Sequence, residues 1–282
     1  MSLGVQRRIN ADHPRIAILT SIETRHRFFA RSVRSRFDVA AVVYARPTYA
    51  PSEVNDSDLS PVERAIVSEH FAERSREEER YFGHDADVIQ PTADCDVLHL
   101  EPGMLNTAQT AESLRDRGVN TVVVFGTDLI KPPLLAPEKW MMINLHLGLS
   151  PYYRGTATNF YPLLNEEPEY VGATIHRLDA GIDSGPILQH ARPEIDALDR
   201  PHTIGCKAIA AGISAMIEVL EAIERGEDLT GVPQWHEPNS RVYYRRDYHP
   251  RQVVELYRKW NKGLLERFLS ERRPAPRLLC CT

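Results

Sequence analysis

The chain reads as an α/β protein: a Rossmann-like, mostly parallel sheet with helices on both faces and a small C-terminal appendage. Three observations predict this. Apolar runs at 15–21 and 38–44 flank a helical stretch at 25–36, a β-α-β opening that implies parallel strands and a right-handed crossover. The run 120–125 is β-branched from Thr121 to Val124, as a strand buried on both faces must be. With 282 residues, 42% of them hydrophobic and 26% charged, there is ample core for one large domain or a domain plus an appendage.

In order, residues 1–13 form a loose lead-in and 15–21 the first strand. The segment 20–27 that follows has none of the glycines that cradle phosphates, and neither G-x-G-x-x-G nor G-x-x-x-x-G-K-[ST] occurs anywhere, so the dinucleotide fingerprint is absent. Residues 46–60, rich in Pro, Ser, Asn and Asp, are a loop. Pro61 suits the first position of a helix over 62–82, whose dense opposed charges predict a surface helix with i,i+4 pairs. A third strand is expected at 96–100, a helix at 106–117 and a fourth strand at 120–125. A helix with one apolar side starts at Arg200-Pro201 and stops at Gly226. The tail, with Tyr243, Tyr244, Tyr248, Tyr257 and Trp260 among many cations, reads as helical. These segments divide into a catalytic domain at 14–230 and an extension at 231–282.

Net charge is −5 and the pI near 6.1, which disfavours a nucleic-acid partner. No apolar run approaches the ~20 residues needed to span a bilayer, and no apolar stretch follows Arg7 and Arg8, so neither membrane nor secretory signal is expected and a cytoplasmic location is. Cys95, Cys206, Cys280 and Cys281 match no zinc or redox spacing and read as free thiols.

The chemistry concentrates between Thr121 and Gln189. Asn144 and His146 sit two apart in an apolar run, so on a strand they share one face. Gly148, Ser150-Pro151 and Arg154-Gly155 stop that strand at once, and ligands of open parallel sheets bind just beyond such carboxyl ends. A second apolar run, 170–178, leads to an acid-bearing turn holding Asp179 and Asp183. Taken singly, Asn144 and His146 are two polar residues closing a strand and Asp183 is a turn-former. An amide, an imidazole and a carboxylate together at strand ends suit acyl transfer. His176 is balanced between a core imidazole and a site residue. Competing motifs fail: His99 and Glu101 lack a following P-C-x-x-C, Ser150 lacks a G-x-S-x-G elbow, and no H-E-x-x-H occurs, so a metal is not indicated.

The pattern Asn144, His146, Gly148, Pro151, Arg154, Gly155, followed by His176, Asp179, Gly181, Asp183, Gly185, Pro186, resembles the folate-dependent formyltransferases. That family includes glycinamide ribonucleotide, methionyl-tRNA and sugar N-formyltransferases. The resemblance implies their fold and 10-formyltetrahydrofolate as formyl donor, with Asn144, His146 and Asp183 as catalytic residues. It further implies that the segment from Phe125 is a folate loop gripping the pterin largely through backbone and apolar groups. Asp128, Leu129, Ile130 and Leu135 would line one wall, and Leu178, Asp179 and Ile182 the other. Arg154 is expected to anchor its loop. The glycinamide ribonucleotide enzymes' Gly-Ser-Asn phosphate loop is replaced here by 20–24, and residues 232–282 look short for the basic RNA-binding domain of the methionyl-tRNA enzymes. The layout is closer to sugar N-formyltransferases, so the expected partner is a small-molecule amine of the nucleotide-sugar type, without nucleic acid or membrane, a homodimer being left open. A formyltetrahydrofolate hydrolase, formylation of another small-molecule or tRNA-borne amine, and a non-catalytic folate-binding module are the alternatives.

Overall fold

The computed structural model describes residues 13–48, 58–136, 138–227, 229–271 and 273–279. The expected lead-in before His13, most of the loop at 46–60 and the Cys280–Cys281 pair lie outside the described residues, whereas Cys95 and Cys206 are buried free thiols.

The strands are β1 (Ile16–Thr20), β2 (Val39–Ala45), β3 (Asp96–Leu100), β4 (Thr121–Phe125), β5 (Met141–His146), β6 (Tyr153–Gly155), β7 (Ala173–Arg177), β8 (Ile187–Ala191) and β9 (Arg241–Tyr243). Seven of them form one sheet in the order β3-β2-β1-β4-β5-β7-β8, and β6 pairs with β9 in a separate parallel ladder. The five strands from β3 to β5 are parallel. β7 runs antiparallel to β5 and β8 antiparallel to β7, because the connection between β5 and β7 carries no α-helix longer than four residues and supplies no crossover. The sheet order reverses between β1 and β4, the place where open α/β sheets bind ligands.

The helices are α1 (Thr24–Arg34), α2 (Pro61–Phe82), α3 (Ala108–Asp116), α4 (Tyr161–Leu164), α5 (Pro201–Glu224), α6 (Pro250–Asn261) and α7 (Leu264–Ser270). On one sheet face, Phe29 of α1, Phe82 of α2 and Met216 of α5 pack on Ile18, Val123, Ile143 and Ile175. On the other, Leu114 of α3 and the Leu134–Trp140 segment cover Leu19, Val124 and Met142. α5, expected as a helix with one apolar side, is long and apolar enough to cross a membrane by length and composition, against the expectation that no run approaches that length; more than half of it is buried against the sheet and its neighbours, as in a core helix.

α2 begins as predicted, with Pro61 at its first position and a Ser60–Glu63 capping box. It is not simply a solvated surface helix. α1, α5 and α6 pack on it and bury His70, Glu73 and Glu78. The expected i,i+4 pair exists, Arg74 Nε to Glu78 at 2.9 Å, but Glu78 also takes both oxygens' worth of Arg25 at 2.7 and 2.8 Å, and Glu73 accepts from Arg200 and from Tyr257 at 2.9 Å. Part of its charge thus serves helix–helix docking, where a paired carboxylate survives burial, while Arg76–Glu69 and Arg80–Glu77 pair on the solvent side as expected.

The tail does not stand apart. Val232 pairs with Ile187, β9 pairs with β6, and α6 docks on α2 and α4. The Tyr243 ring stacks on Tyr161 at 3.6 Å, and Trp260 packs in the same cluster, so these aromatics build core. Tyr244 is the exposed one, with the Arg246 guanidinium over its ring.

Burial holds the His190 and His202 imidazoles down to about 4 and that of His70 to about 3. His190 shows why: Nε2–H donates to the Ser150 carbonyl while Nδ1 accepts from the Leu279 N–H, so a second proton would break the latter bond. The unfolded chain binds these protons near 6.5 and the folded chain near 4 or below, so stability is full above pH 6.5 and falls as pH drops toward 4. Each imidazole contributes up to about 1.4 kcal/mol per pH unit in that window. Urea titrations at pH 7 and pH 5 should show this loss, and His190→Gln, which keeps a donor and an acceptor, should reduce it.

Candidate active site

β5 alternates as its spacing demands. Ile143 and Leu145 enter the α5-side core, Met142 enters the opposite one, and Asn144 and His146 share the Met142 face at the carboxyl end of the strand. Antiparallel pairing then brings β7 alongside in a register that sets His176 opposite Asn144 and Thr174 opposite His146.

The turn after β7 folds back over this face. Asp183 holds a φ of +45°, and its carboxylate is the hub of the site. Oδ2 accepts from the Gly155 N–H at 3.0 Å and lies 3.3 Å from His146 Nδ1. Oδ1 accepts from Asn144 Nδ2 at 3.3 Å and lies 3.5 Å from His176 Nε2. The second Asn144 amide hydrogen goes to His176 Nε2 at 3.1 Å, an acceptor because His176 Nδ1–H faces the Arg177 carbonyl at 2.9 Å. His176 is therefore both a buried imidazole and a member of the site.

Burial pushes the Asp183 carboxyl up, but His146, His176 and the Gly155 N–H outweigh it, and the group sits well below the usual carboxylate range. Burial pulls His146 below its ordinary value, against the opposing pull of Asp183 and the Tyr153 carbonyl. That carbonyl, 3.0 Å from Nε2, fixes the neutral ring with its hydrogen on Nε2 and leaves Nδ1, beside Asp183, as the basic atom.

Loop 147–156 is knitted tightly enough to hold this geometry. Thr174 Oγ1 donates to the Gly148 carbonyl at 2.6 Å and accepts from the Ser150 N–H at 2.9 Å. A Cβ on Gly148 would come 2.5 Å from His146 Nε2, so only glycine fits there. Gly155 has a φ of +90° and lies under the Tyr243 carbonyl, where a Cβ would sit 2.0 Å from the oxygen. Among the described residues the Nε of Arg154 is buried without a hydrogen-bond partner, so no anchoring bond to them is made through that atom.

Of the seven wall residues, Ile130 is buried in the α3-side core, and Leu135 and Leu178 pack against that same cluster from opposite loops. Leu129 is 55% exposed, and Ile182 is half-buried. Asp128 and Asp179 spend their carboxylates on their own surroundings. Asp128 accepts from the Thr48 N–H at 2.9 Å and from Arg245 at 2.8 Å; Asp179 accepts from the Gly181 N–H at 3.0 Å and from Ser184 Oγ at 2.9 Å. Both walls thus offer backbone and apolar surface. Asn106, which the sequence reading passed over, braces the first wall by donating to the Leu129 carbonyl at 2.9 Å and accepting from the Lys131 N–H at 2.7 Å. Gln234 was passed over too: its Nε2 donates to the carbonyls of Asp183 and Gly185. Neither residue lies in a recognisable pattern.

The formyl transferase family model matches residues 36–220, which contain Asn144, His146 and Asp183. The chain belongs to the formyl transferase family. Among curated family members, a methionyl-tRNA formyltransferase of Caulobacter sp. is 34% identical over 127 residues, 44% of this chain and 40% of that protein. One from Nostoc sp. is 28% identical over 203 residues, 72% of this chain and 54% of it. The chain thus spans about half or less of the length of these relatives. Solved structures share the formyltransferase fold. A phosphoribosylglycinamide formyltransferase of Anaplasma phagocytophilum superposes with a TM-score of 0.52 at 15% identity, over 83% of this chain and 99% of that one. A sugar N-formyltransferase of Shewanella sp. gives 0.51 at 16% identity, over 87% and 88%.

Gly155→Ala combines a disfavoured φ with a backbone clash, so it should destabilise the protein by about 2 kcal/mol or more and displace the N–H that fixes Asp183. Urea unfolding checks the first effect; Gly118→Ala, also at positive φ but with open space beyond the Arg15 side chain, should cost less.

Proposed function

We propose that the protein transfers a formyl group from 10-formyltetrahydrofolate to a primary amine of a nucleotide-linked amino sugar. The observation that carries this reading is the cluster of Asn144, His146 and Asp183 at the carboxyl end of β5, with the Asp183 carboxylate hydrogen-bonded to Asn144 and 3.3 Å from His146 Nδ1. The donor, when bound, supplies an activated formyl carbonyl, and the apolar and backbone surface at Ile130, Leu135 and Leu178 suits its flat heterocycle. Asn144 donates an amide hydrogen to the formyl oxygen as it gains charge, an oxyanion being a stronger acceptor than the His176 nitrogen that holds this hydrogen at rest. His146 Nδ1 takes the proton that the attacking amine loses; the imidazolium so formed lies 3.3 Å from the Asp183 carboxylate, which stabilises it until the proton returns to the leaving nitrogen.

The loop after β1 supports a sugar amine over a phosphate-gripping mode at the sheet's switch point. Burial would raise the Glu23 carboxyl, yet its bond to His26 Nδ1 at 2.6 Å holds it well below the usual range, while burial holds His26 down to about 4. At neutral pH the pair carries one negative charge at the start of α1, which disfavours a phosphate there and suits hydroxyl or amine groups, so the phosphates of a nucleotide-linked sugar would bind away from this helix start. A tRNA-borne amine is the second reading, favoured by the methionyl-tRNA formyltransferases among the relatives.

The test follows tetrahydrofolate release from 10-formyltetrahydrofolate with nucleotide-linked amino sugars, with methionyl-tRNA, and with no acceptor. Release only with an amino sugar is the expected result; release only with methionyl-tRNA selects the second reading, and release without acceptor makes the protein a hydrolase. Asn144→Ala should lower kcat by ~10²–10³, the usual loss of an oxyanion donor. Because His146 must be neutral and its pKa lies below the ordinary 6.5, the acid limb of kcat/KM should fall below pH 6.5. A limb above 7 would remove His146 as the base.

A further inference from the structure

We infer that Gln234, from the C-terminal extension, is a positioning residue for the Asp183 carboxylate. This rests on the proposed role of Asp183 and lies outside the matched family region, which ends at residue 220.

Asp183 occupies a left-handed conformation that costs a non-glycine residue roughly 1 kcal/mol or more, so the surrounding structure must hold it there. The Gln234 side-chain amide does so from beneath. Nε2 donates to the Asp183 carbonyl at 2.7 Å and to the Gly185 carbonyl at 3.0 Å. Two carbonyls on one amide nitrogen fix its orientation, since the amide oxygen has no hydrogen to offer them. Among the described residues Oε1 is buried without a partner. Leaving an acceptor unmatched is unfavourable, and here it accompanies a side chain aimed at one turn.

The only other side chain that donates to the Asp183 carbonyl among the bonds of the described residues is Ser150 Oγ, at 3.3 Å. The rest of the extension strengthens the same grip. Val232, two residues before Gln234, exchanges two backbone hydrogen bonds of 2.8 Å with Ile187 on the far side of the turn. Beyond it, Ser240 Oγ donates to the Pro151 carbonyl, the Arg241 N–H donates to the Tyr152 carbonyl at 2.8 Å, and Tyr243 accepts from the Thr156 N–H at 2.9 Å. Gly155, whose N–H binds Asp183 Oδ2, lies in that braced stretch. The strap formed by 232–243 therefore fixes the carboxylate through both its own backbone and its hydrogen-bond donor, and Gln234 is the side chain that touches the turn itself.

The experiment compares Gln234→Ala, Gln234→Glu and Asp183→Asn with the wild-type chain. The first readout needs no acceptor: NMR titration of the imidazole nitrogens, with His146 assigned by its loss in His146→Gln. The Asp183 carboxylate raises the His146 pKa, so displacing it in Gln234→Ala should lower that pKa by about half a pH unit, in the same direction as Asp183→Asn. Gln234→Glu sets a carboxylate against two carbonyls and should lower it at least as far. The second readout is turnover. Gln234→Ala should lower kcat about 10–100-fold at unchanged KM, and should add nothing in an Asp183→Ala background. An unshifted His146 titration in a folded Gln234→Ala protein overturns the inference, as does a kcat loss that persists undiminished in that background. Full turnover in Asp183→Asn instead overturns the catalytic reading, while a shifted titration in Gln234→Ala would leave the positioning contact standing.

Discussion

A single carboxylate organises the site. Asp183 accepts from a backbone N–H of one loop and an amide of the central strand, and lies against two imidazoles. Each of those neighbours is placed by a different constraint: Asn144 by strand alternation, His176 by antiparallel register, Gly155 by a positive φ that only glycine adopts freely. An ionised carboxylate this buried is tolerated because each oxygen accepts a hydrogen bond; removing one donor would leave charge in a poorly solvated place. The desolvation that lowers His146 and the charge that opposes it are thus two effects of one packing arrangement.

Much of this was legible in the sequence. The run 96–100 is a strand to the residue, and β1, β2 and β4 fall within one residue or so of the ends their apolar runs suggest. Asn144 and His146 were readable because a period of two is a geometric fact about strands. The antiparallel return of β7 was not, because a strand's direction depends on the connection before it, and the segment 147–172 has no helical periodicity to announce or exclude a crossover. α2 misled for a different reason: its charges look identical whether they face water or the arginines of α1 and α5. The aromatics of the tail were ambiguous until Tyr243 was found stacked on Tyr161. Gln234 was invisible, since a lone glutamine in a loop has no spacing to read.

The wall carboxylates carry a related lesson. Asp128 and Asp179 were expected at the edges of a ligand site, and they lie in the loops that would form it, but their oxygens tie those loops down. Residue type alone does not separate a group that meets a ligand from one that shapes the surface the ligand meets. The local accounting of donors and acceptors does.

The path of the chain from Val232 to Arg245 has a consequence for how the protein is made. This segment crosses the Asp183 turn, the loop at Pro151–Thr156 and, through Arg245, the loop at Asp128. Those contacts join residues separated by about 50 to 117 positions, with Arg245 and Asp128 the farthest apart. A chain emerging from the ribosome has its five parallel strands, β1 to β5, complete well before this segment exists. The hub carboxylate gains these restraints only when residues 234–243 arrive, so order in the site is acquired after the sheet that carries it.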